Sequence, residues 1–103
     1  MGETSDLNTL LLATAKADRT AFRALYSASA PKLLGVAMRI CGEKAIAEDA
    51  VQDAFVEIWR KAKSFDPARG NAAGWMSVIA RNRAIDQIRR RIFKPRQVGI
   101  VLQ

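Results

Sequence analysis

Residues 75–91 carry the side chains with the clearest chemistry in this chain. The segment reads WMSVIARNRAIDQIRRR and contains a tryptophan, an asparagine, an aspartate and five arginines. On a helix, the step of about 100° per residue puts one set of side chains on a single stripe: Trp75, Ile79, Asn82, Asp86, Arg89 and Arg90. Asparagine can read a base edge, tryptophan can stack on a base and arginine can hold a phosphate. The stripe indicates nucleic-acid binding, and the structural alternative is a solvated charged face beside a widened core contact.

An adjoining stripe of the same helix is aliphatic. It consists of Val78, Ile85, Ile88 and Ile92. A helix that docks on a protein core needs such a stripe, so we expect these four side chains to face inward. Trp75 keeps two interpretations, because its ring can stack on a base or complete the core.

Charge is distributed unevenly along the chain, whose formal net charge is +7. Residues 60–96 contain eleven lysines and arginines against two aspartates, a net charge of +9. The residues before them contain six basic against eight acidic side chains, a net charge of −2. This segregation suggests two partners, a polyanion for the basic half and a basic protein surface for the acidic half.

The composition argues against several classes of protein. Without histidine, neither a Ser–His or Cys–His nucleophile nor the common zinc sites can form, and the single Cys41 cannot make an internal disulfide. We therefore expect no enzyme, no metal and no cofactor, with Cys41 as a small core residue. The sequence has no apolar run of about 18 residues for a membrane span, and residues 1–10 lack signal-peptide features, so we expect a cytoplasmic protein.

The helical patterns predict an all-α fold, a bundle of about four helices in one domain. Leucines at 7 and 10–12 predict a short first helix that reaches about Lys16 and is capped by Ser5 or Asp6. A second helix is expected from a cap at Asp18 or Thr20 to Gly42. Pro31 lies within it and predicts a kink, or a break into two helices.

The third helix has the most regular apolar spacing, from Ile46 to Ala62. Its other face carries an exposed patch predicted for protein contact, formed by Asp49, Gln52, Asp53 and Val56. Acidic residues early in a helix also complement the macrodipole, which explains Asp49 more easily than Asp53. The loop that follows contains Pro67 and Gly70, and Asn71 is a plausible cap for the last helix.

Three sequence runs resemble the conserved second region of the extracytoplasmic-function (ECF) sigma factors, in family order and spacing. They read AFRALYSASAPKLLGVAMRICG, AEDAVQDAFVEIWRKAKSFDP and GWMSVIARNRAIDQIRRR, and they cover residues 21–91. The resemblance implies that the helix with Asp49, Gln52 and Asp53 docks on the clamp helices of the largest subunit of RNA polymerase. Phe55 and Trp59 lie on the apolar stripe and are assigned chiefly to the core.

The resemblance also implies that the last helix and the loop before it recognise and melt the minus-ten promoter element. Asn82 matches the family position that contacts a base. The expected phosphate contacts are Arg81, Arg83, Arg89 and Arg90. The loop from 64 to 74 matches the segment that captures a flipped non-template base, with Phe65, Asn71 and Trp75 as candidates. Ala72 and Ala73 replace an aromatic that is common in the family, which leaves the base preference open.

The domain prediction places the sigma region 2 domain at 1–92 and an interdomain linker or tail at 93–103. The helix-turn-helix domain that family members carry for the minus-thirty-five element is absent, so we expect a fragment or a truncated relative. The expected partners are RNA polymerase, single-stranded promoter DNA and an anti-sigma factor. Two alternatives stay open: a module that binds polymerase or an anti-sigma factor without reading DNA, and a nonspecific basic nucleic-acid binder.

Overall fold

A computed structural model describes the backbone of residues 3–102 and the side chains of residues 7–92. Its α-helices are α1 (Glu3–Thr14), α2 (Arg19–Cys41), α3 (Lys44–Lys61) and α4 (Ala72–Leu102). Two short 3-10 helices, Ala62–Ser64 and Pro67–Arg69, lie in the loop between α3 and α4. The described residues contain no strand, and the predicted all-α bundle of four helices is confirmed. Within them, no helix is both long enough and apolar enough to cross a membrane.

Helix α1 differs from its prediction at both ends. It begins at Glu3, so Ser5 and Asp6 lie inside the helix and the predicted cap there is wrong. It ends at Thr14, short of the predicted Lys16. Ala17 adopts a left-handed conformation with φ of 67°, and its N–H bonds to the Thr14 carbonyl at 2.8 Å, so the chain turns immediately after the helix.

Both predicted ends of α2 are confirmed. An Asp18 carboxylate oxygen accepts a hydrogen bond from the Ala21 N–H at 3.0 Å, as an N-cap residue does. At the other end Gly42 is left-handed, with φ of 76°, and its N–H bonds to the Met38 carbonyl at 2.9 Å. Glycine adopts this conformation without the steric cost that a side chain brings.

Helix α2 passes through Pro31 without a break, so the predicted alternative of two separate helices is wrong. Proline lacks the N–H that would bond to the carbonyl four residues earlier, on Ser27. Both Pro31 and Ser27 are exposed. Water can therefore satisfy the Ser27 carbonyl, and the lost hydrogen bond costs less than it would in the core.

The core is built around α3, which packs against both α2 and α4. The buried side chains of α3 are Ala47, Ala50, Val51, Ala54, Phe55 and Ile58. Phe55 is 3% exposed, as predicted for a core residue. Trp59 is half-buried and packs edge-on against Phe22, with ring centroids 5.1 Å apart. Because several of these residues are alanines, the neighbouring helices can approach α3 closely.

Helix α4 presents a different face to the core from the one predicted. Among its described side chains, up to residue 92, the buried ones are Ala72, Met76, Ile79, Ala80, Ala84 and Gln87. Val78 and Ile92 are 58% and 49% exposed, so the prediction that they face inward is wrong. Ile79, predicted on the ligand stripe, is in the core. The small alanines permit close packing, and this packing outweighs the larger aliphatic residues in setting the rotation of the helix.

Candidate nucleic-acid interface

A pocket opens where the α3–α4 loop meets the first turns of α4, and we call it the loop pocket. It is lined by residues 64–66 and 69–71 of the loop and by Gly74, Trp75 and Val78 of α4, with a volume of about 580 Å³. Phe65 is only 6% exposed, and its ring meets Trp75 edge-on with centroids 5.7 Å apart. The structure thus brings together Phe65, Asn71 and Trp75, all three predicted candidates for base capture.

The two aromatic residues have different positions in the loop pocket. Phe65 is buried and belongs to the hydrophobic core cluster, while Trp75 is half-buried and packs against that cluster. Trp75 therefore combines the two interpretations given to it, because one part of its ring packs on the core and another lines the pocket. A ring held in this way can stack on a planar ligand with little loss of conformational entropy.

Backbone hydrogen bonds hold the polar side chains of the loop pocket in place. Asn71 Oδ1 accepts from the Gly74 N–H at 2.8 Å, which confirms the predicted cap of α4. Asp66 Oδ1 accepts from the Ala68 N–H at 3.0 Å and so caps the second 3-10 helix. Ser64 Oγ donates to the Lys61 carbonyl at 2.7 Å. Each of these side chains orders the loop and lines the pocket at once.

A contact from α1 anchors the same region. Asn8 Oδ1 accepts a hydrogen bond from the Ala72 N–H at 2.8 Å, at the first residue of α4. The first N–H groups of a helix have no carbonyl partner within the helix, so a buried one such as that of Ala72 needs such an acceptor. Sequence reasoning did not find this contact, because residues 64 positions apart share no local pattern.

The predicted nucleic-acid side chains of α4 fall into two groups. Arg81, Asn82 and Arg89 are exposed, and no ion pair to either arginine occurs in the described part of the chain. Arg83 and Asp86 are half-buried and pair with each other at 2.6 Å. Arg83 Nε also lies 3.2 Å from Glu57 Oε1. The first group is open to a ligand, while the second is engaged within the protein.

Three ion pairs join the acidic face of α3 to the basic face of α4, and we call this surface the α3–α4 charged face. Its pairs are Asp49–Arg91 at 3.1 Å, Asp53–Arg90 at 3.2 Å and Glu57–Arg83 at 3.2 Å. Gln87 Nε2 also donates to Asp53 Oδ2 at 2.9 Å. The two aspartates predicted to bind polymerase are thus both bonded to α4. Asp53 Oδ2 accepts hydrogen bonds from both Gln87 and Arg90, and Arg90 is a predicted phosphate contact.

The other predicted protein-binding residues, Gln52 and Val56, are exposed. Val56 is 58% exposed, and both side chains line a groove of about 670 Å³ between α2 and α3. Tyr26, itself 41% exposed, lines the groove from α2 and packs on Phe55 with ring centroids 4.6 Å apart. An exposed aliphatic and an exposed aromatic side chain in one groove are typical of a protein-binding surface.

Cys41 lies at the end of α2, against α4. It is half-buried and packs against the core, as predicted, and its Sγ is 3.8 Å from the Ala84 carbonyl oxygen. Burial raises the pKa of the thiol, and the nearby Arg91 charge partly offsets the rise. The thiol is therefore protonated at neutral pH and is a poor nucleophile. Among the described residues, no group of three acidic or cysteine side chains could hold a metal ion.

Most of the residues described above fall within a match to a known protein family. Residues 25–92 match the model for Sigma-70 region 2. The chain belongs to the sigma-70 region 2 family. The matched residues include most of α2, all of α3 and the loop pocket, and they also include the exposed polar side chains of α4. Every predicted site residue of this region 2 domain falls within the match.

The domain is also similar to curated ECF sigma factors. It is 35% identical over 85 residues to the ECF RNA polymerase sigma factor SigK of Mycobacterium tuberculosis (strain H37Rv) and of Mycobacterium bovis (strain BCG), over 82% of this chain. SigK of Mycobacterium sp. (strain KMS) is 35% identical over 86 residues. The region 2 chain spans just under half of these relatives, 46% and 45% of their lengths.

Proposed function

We propose that this region 2 domain directs bacterial RNA polymerase to promoters by capturing a flipped non-template base of the minus-ten element. The observation that carries the proposal is the loop pocket, which opens at the start of the same helix that exposes Asn82, Arg81 and Arg89. A pocket for one base and a polar row for its neighbours suit a single strand better than a closed duplex.

The loop pocket supplies the energy that base capture needs. Extruding a base from a duplex costs a few kcal/mol, least where the strand is already single. Stacking on an aromatic side chain returns about 1–3 kcal/mol per base. Trp75 offers a ring for this purpose, and Phe65 fixes its position from the core. Capture by a preformed pocket therefore helps to hold the strands apart once they separate.

The exposed side chains of α4 have two separate roles, reading a base and binding the phosphates. Asn82 has both an amide donor and an amide acceptor, so it reads a base edge. Arg81 and Arg89 hold phosphates and contribute affinity without sequence preference. Arg83, Arg90 and Asp86 are also proposed at this interface. Each of them gives up an ion pair within the protein when it contacts DNA.

The second proposed surface binds the clamp helices of the largest polymerase subunit. Gln52 and Val56 support this assignment, because they are exposed beside the apolar groove. Asp49 and Asp53 supply the negative charge that steers a basic partner. Both proposed surfaces act by binding. An anti-sigma factor is a further proposed partner, and its only support is the family.

Binding to single-stranded oligonucleotides of systematically varied minus-ten sequence tests the proposal. Fluorescence anisotropy at fixed salt, with and without core polymerase, is expected to show a sequence preference that strengthens with polymerase. Duplex DNA of the same sequence serves as the control and is expected to bind more weakly. Equal affinity for all sequences in both conditions overturns DNA reading. Polymerase binding alone then favours the protein-interaction module.

A further inference from the structure

Helix α1 supports the elements on both sides of the loop pocket. It contacts α4 and the first 3-10 helix, at residues 62–64. Leu11 is 0% exposed and holds α1 in the hydrophobic core cluster. Asn8 precedes Leu11 by three residues, so the two side chains lie on the same face of α1. This support comes from residues 3–14, which precede the matched residues 25–92.

The first turn of α4 is held by two hydrogen bonds of different kinds. Asn71 Oδ1 accepts from the Gly74 N–H, a local bond that fixes where the helix begins along the chain. Asn8 Oδ1 accepts from the Ala72 N–H at 2.8 Å, a long-range bond that fixes where the first turn lies relative to α1. Because Ala72 is 0% exposed, water cannot replace the Asn8 oxygen at this N–H.

We propose that Asn8 is a positioning residue for base capture, because it holds the first turn of α4 and thereby the Trp75 ring at the loop pocket. Trp75 lies about one turn after Ala72, and its ring meets the Phe65 ring with centroids 5.7 Å apart. A displacement of the first turn therefore moves the Trp75 ring relative to the loop. The inference rests on the proposed function, since it concerns the ring on which the captured base stacks.

The placement of the ring matters because dispersion contacts fall off steeply with distance. A binding site that is about 1 Å too loose loses much of its function. Phe65 belongs to the core cluster and holds the loop side of the pocket, while the Asn8–Ala72 bond holds the helix side. Without the Asn8 acceptor, the buried Ala72 N–H has no partner, and the first turn gains free energy by moving toward water. Met76, which is 1% exposed, keeps the following turn in the core.

The first test measures the Trp75 ring in the absence of DNA. The chain has two tryptophans, so Trp59→Phe leaves Trp75 as the reporter, and acrylamide quenching of its fluorescence measures its access to solvent. In this background Asn8→Leu, which has a similar volume and no acceptor, is expected to raise the quenching constant. Asn8→Asp keeps a carboxylate oxygen as the acceptor and is expected to leave the quenching constant unchanged.

The second test measures base capture by the 103-residue chain with core polymerase. An abasic site is moved along a single-stranded minus-ten oligonucleotide, and the captured position is where the loss of affinity is largest. Stacking on one aromatic ring predicts a loss of about fivefold or more there. Asn8→Leu is expected to reduce this ratio to about twofold, and Asn8→Asp is expected to keep it. A ratio of two affinities cancels the repulsion that the added negative charge brings to both complexes.

Thr14→Ala is the matched control for a general loss of stability. Thr14 is 2% exposed, and its Oγ1 donates to the Leu10 carbonyl at 2.8 Å, so the substitution disturbs α1 without touching its bond to α4. Denaturant unfolding is expected to show lower stability, while Trp75 quenching and the abasic ratio stay unchanged. Asn8→Gln moves the acceptor by one methylene, is expected to be intermediate, and replaces Asn8→Leu if that variant does not fold.

The outcomes separate this inference from the function on which it rests. If no position of the oligonucleotide loses affinity when it becomes abasic, base capture itself is wrong and the positioning role falls with it. If an abasic site weakens binding and Asn8→Leu keeps the full ratio, the positioning role alone is wrong. It is also overturned if Asn8→Asp behaves like Asn8→Leu, or if Thr14→Ala raises Trp75 quenching as much as Asn8→Leu does.

Discussion

On the α3–α4 charged face, carboxylates and guanidinium groups neutralise one another, whereas in the loop pocket polar side chains bond to the backbone and leave a second atom open. The charged face pairs Asp49, Asp53 and Glu57 with arginines of α4. The loop pocket leaves Asp66 and Asn71 each with one free polar atom. The charged face thus has its side chains paired within the protein, whereas the less charged loop pocket keeps unpaired polar atoms.

This contrast revises the interpretation of charge segregation along the sequence. An acidic half and a basic half suggested two independent surfaces, yet part of each half serves to pair with the other. The Asp49–Arg91 and Asp53–Arg90 pairs are well exposed, so each contributes at most about 1 kcal/mol to folding. Pairs this weak can exchange for a partner, so we expect the proposed polymerase contact at Asp53 to free Arg90 for the proposed contact with DNA.

The largest expected effect comes from removing the floor of the loop pocket. Phe65→Ala deletes a ring that is 6% exposed and in contact with Trp75. We expect a loss of about 3–5 kcal/mol in the free energy of unfolding, because a cavity remains behind. Denaturant unfolding followed by circular dichroism measures it. Phe65→Leu is the matched control and should cost less than half as much, and equal losses would contradict a packing role.

Substitutions of Asn82 and Arg89 test the exposed side chains of α4 that have no ion pair within the described part of the protein. Asn82→Ala is expected to weaken binding to one base at one position by about 1–3 kcal/mol, because it removes a base contact. Arg89→Ala is expected to weaken all sequences alike and to lower the slope of log affinity against log salt by about 0.7 for single strands. Anisotropy titrations at several salt concentrations measure both effects. Uniform losses for both variants would contradict the separation of reading from attachment.

A substitution of Glu57 tests whether the more buried ion pair of the charged face stabilises the fold more than an exposed one does. Glu57 Oε1 and Arg83 Nε are buried, unlike the exposed Asp49–Arg91 pair. We expect Glu57→Gln to cost about 1–2 kcal/mol of unfolding free energy, since it leaves a partly buried guanidinium with one fewer anion. Asp49→Asn should cost less than about 0.5 kcal/mol. Thermal and denaturant unfolding of both variants compare them, and equal costs would remove the distinction.

The smallest expected effect is also the most diagnostic for the exchange of partners. Asp53→Asn is expected to weaken polymerase binding and to strengthen single-stranded DNA binding by about two- to fivefold, since Arg90 loses its competing anion. Separate titrations with core polymerase and with an oligonucleotide at low salt measure the two signs. Glu48→Gln is the control, because Glu48 pairs with Lys44 within α3. A loss in both titrations would show that Asp53 does not compete for Arg90.

Local chemistry made much of the fold predictable. Asp18, Gly42 and Asn71 end or begin helices through bonds to residues three or four positions away, so their roles are visible in a short stretch of sequence. The rotation of α4 was not predictable in the same way. Val78 and Ile92 have the larger aliphatic side chains, but Ala80 and Ala84 face the core. Close approach between helices set this choice, and no periodicity within a single helix encodes it.

The sequence by itself determined the helical class, most helix ends, the family and the set of polar residues near the proposed binding surfaces. These properties depend on propensity, capping and motif spacing, which act over a few residues. Only the tertiary structure decided which polar residues are free. Nothing in the arginine-rich sequence of this segment distinguishes Arg83 from Arg89. One lies 3.2 Å from Glu57 and the other is exposed, because the packing of α3 against α4 brings an acidic side chain to only one of them.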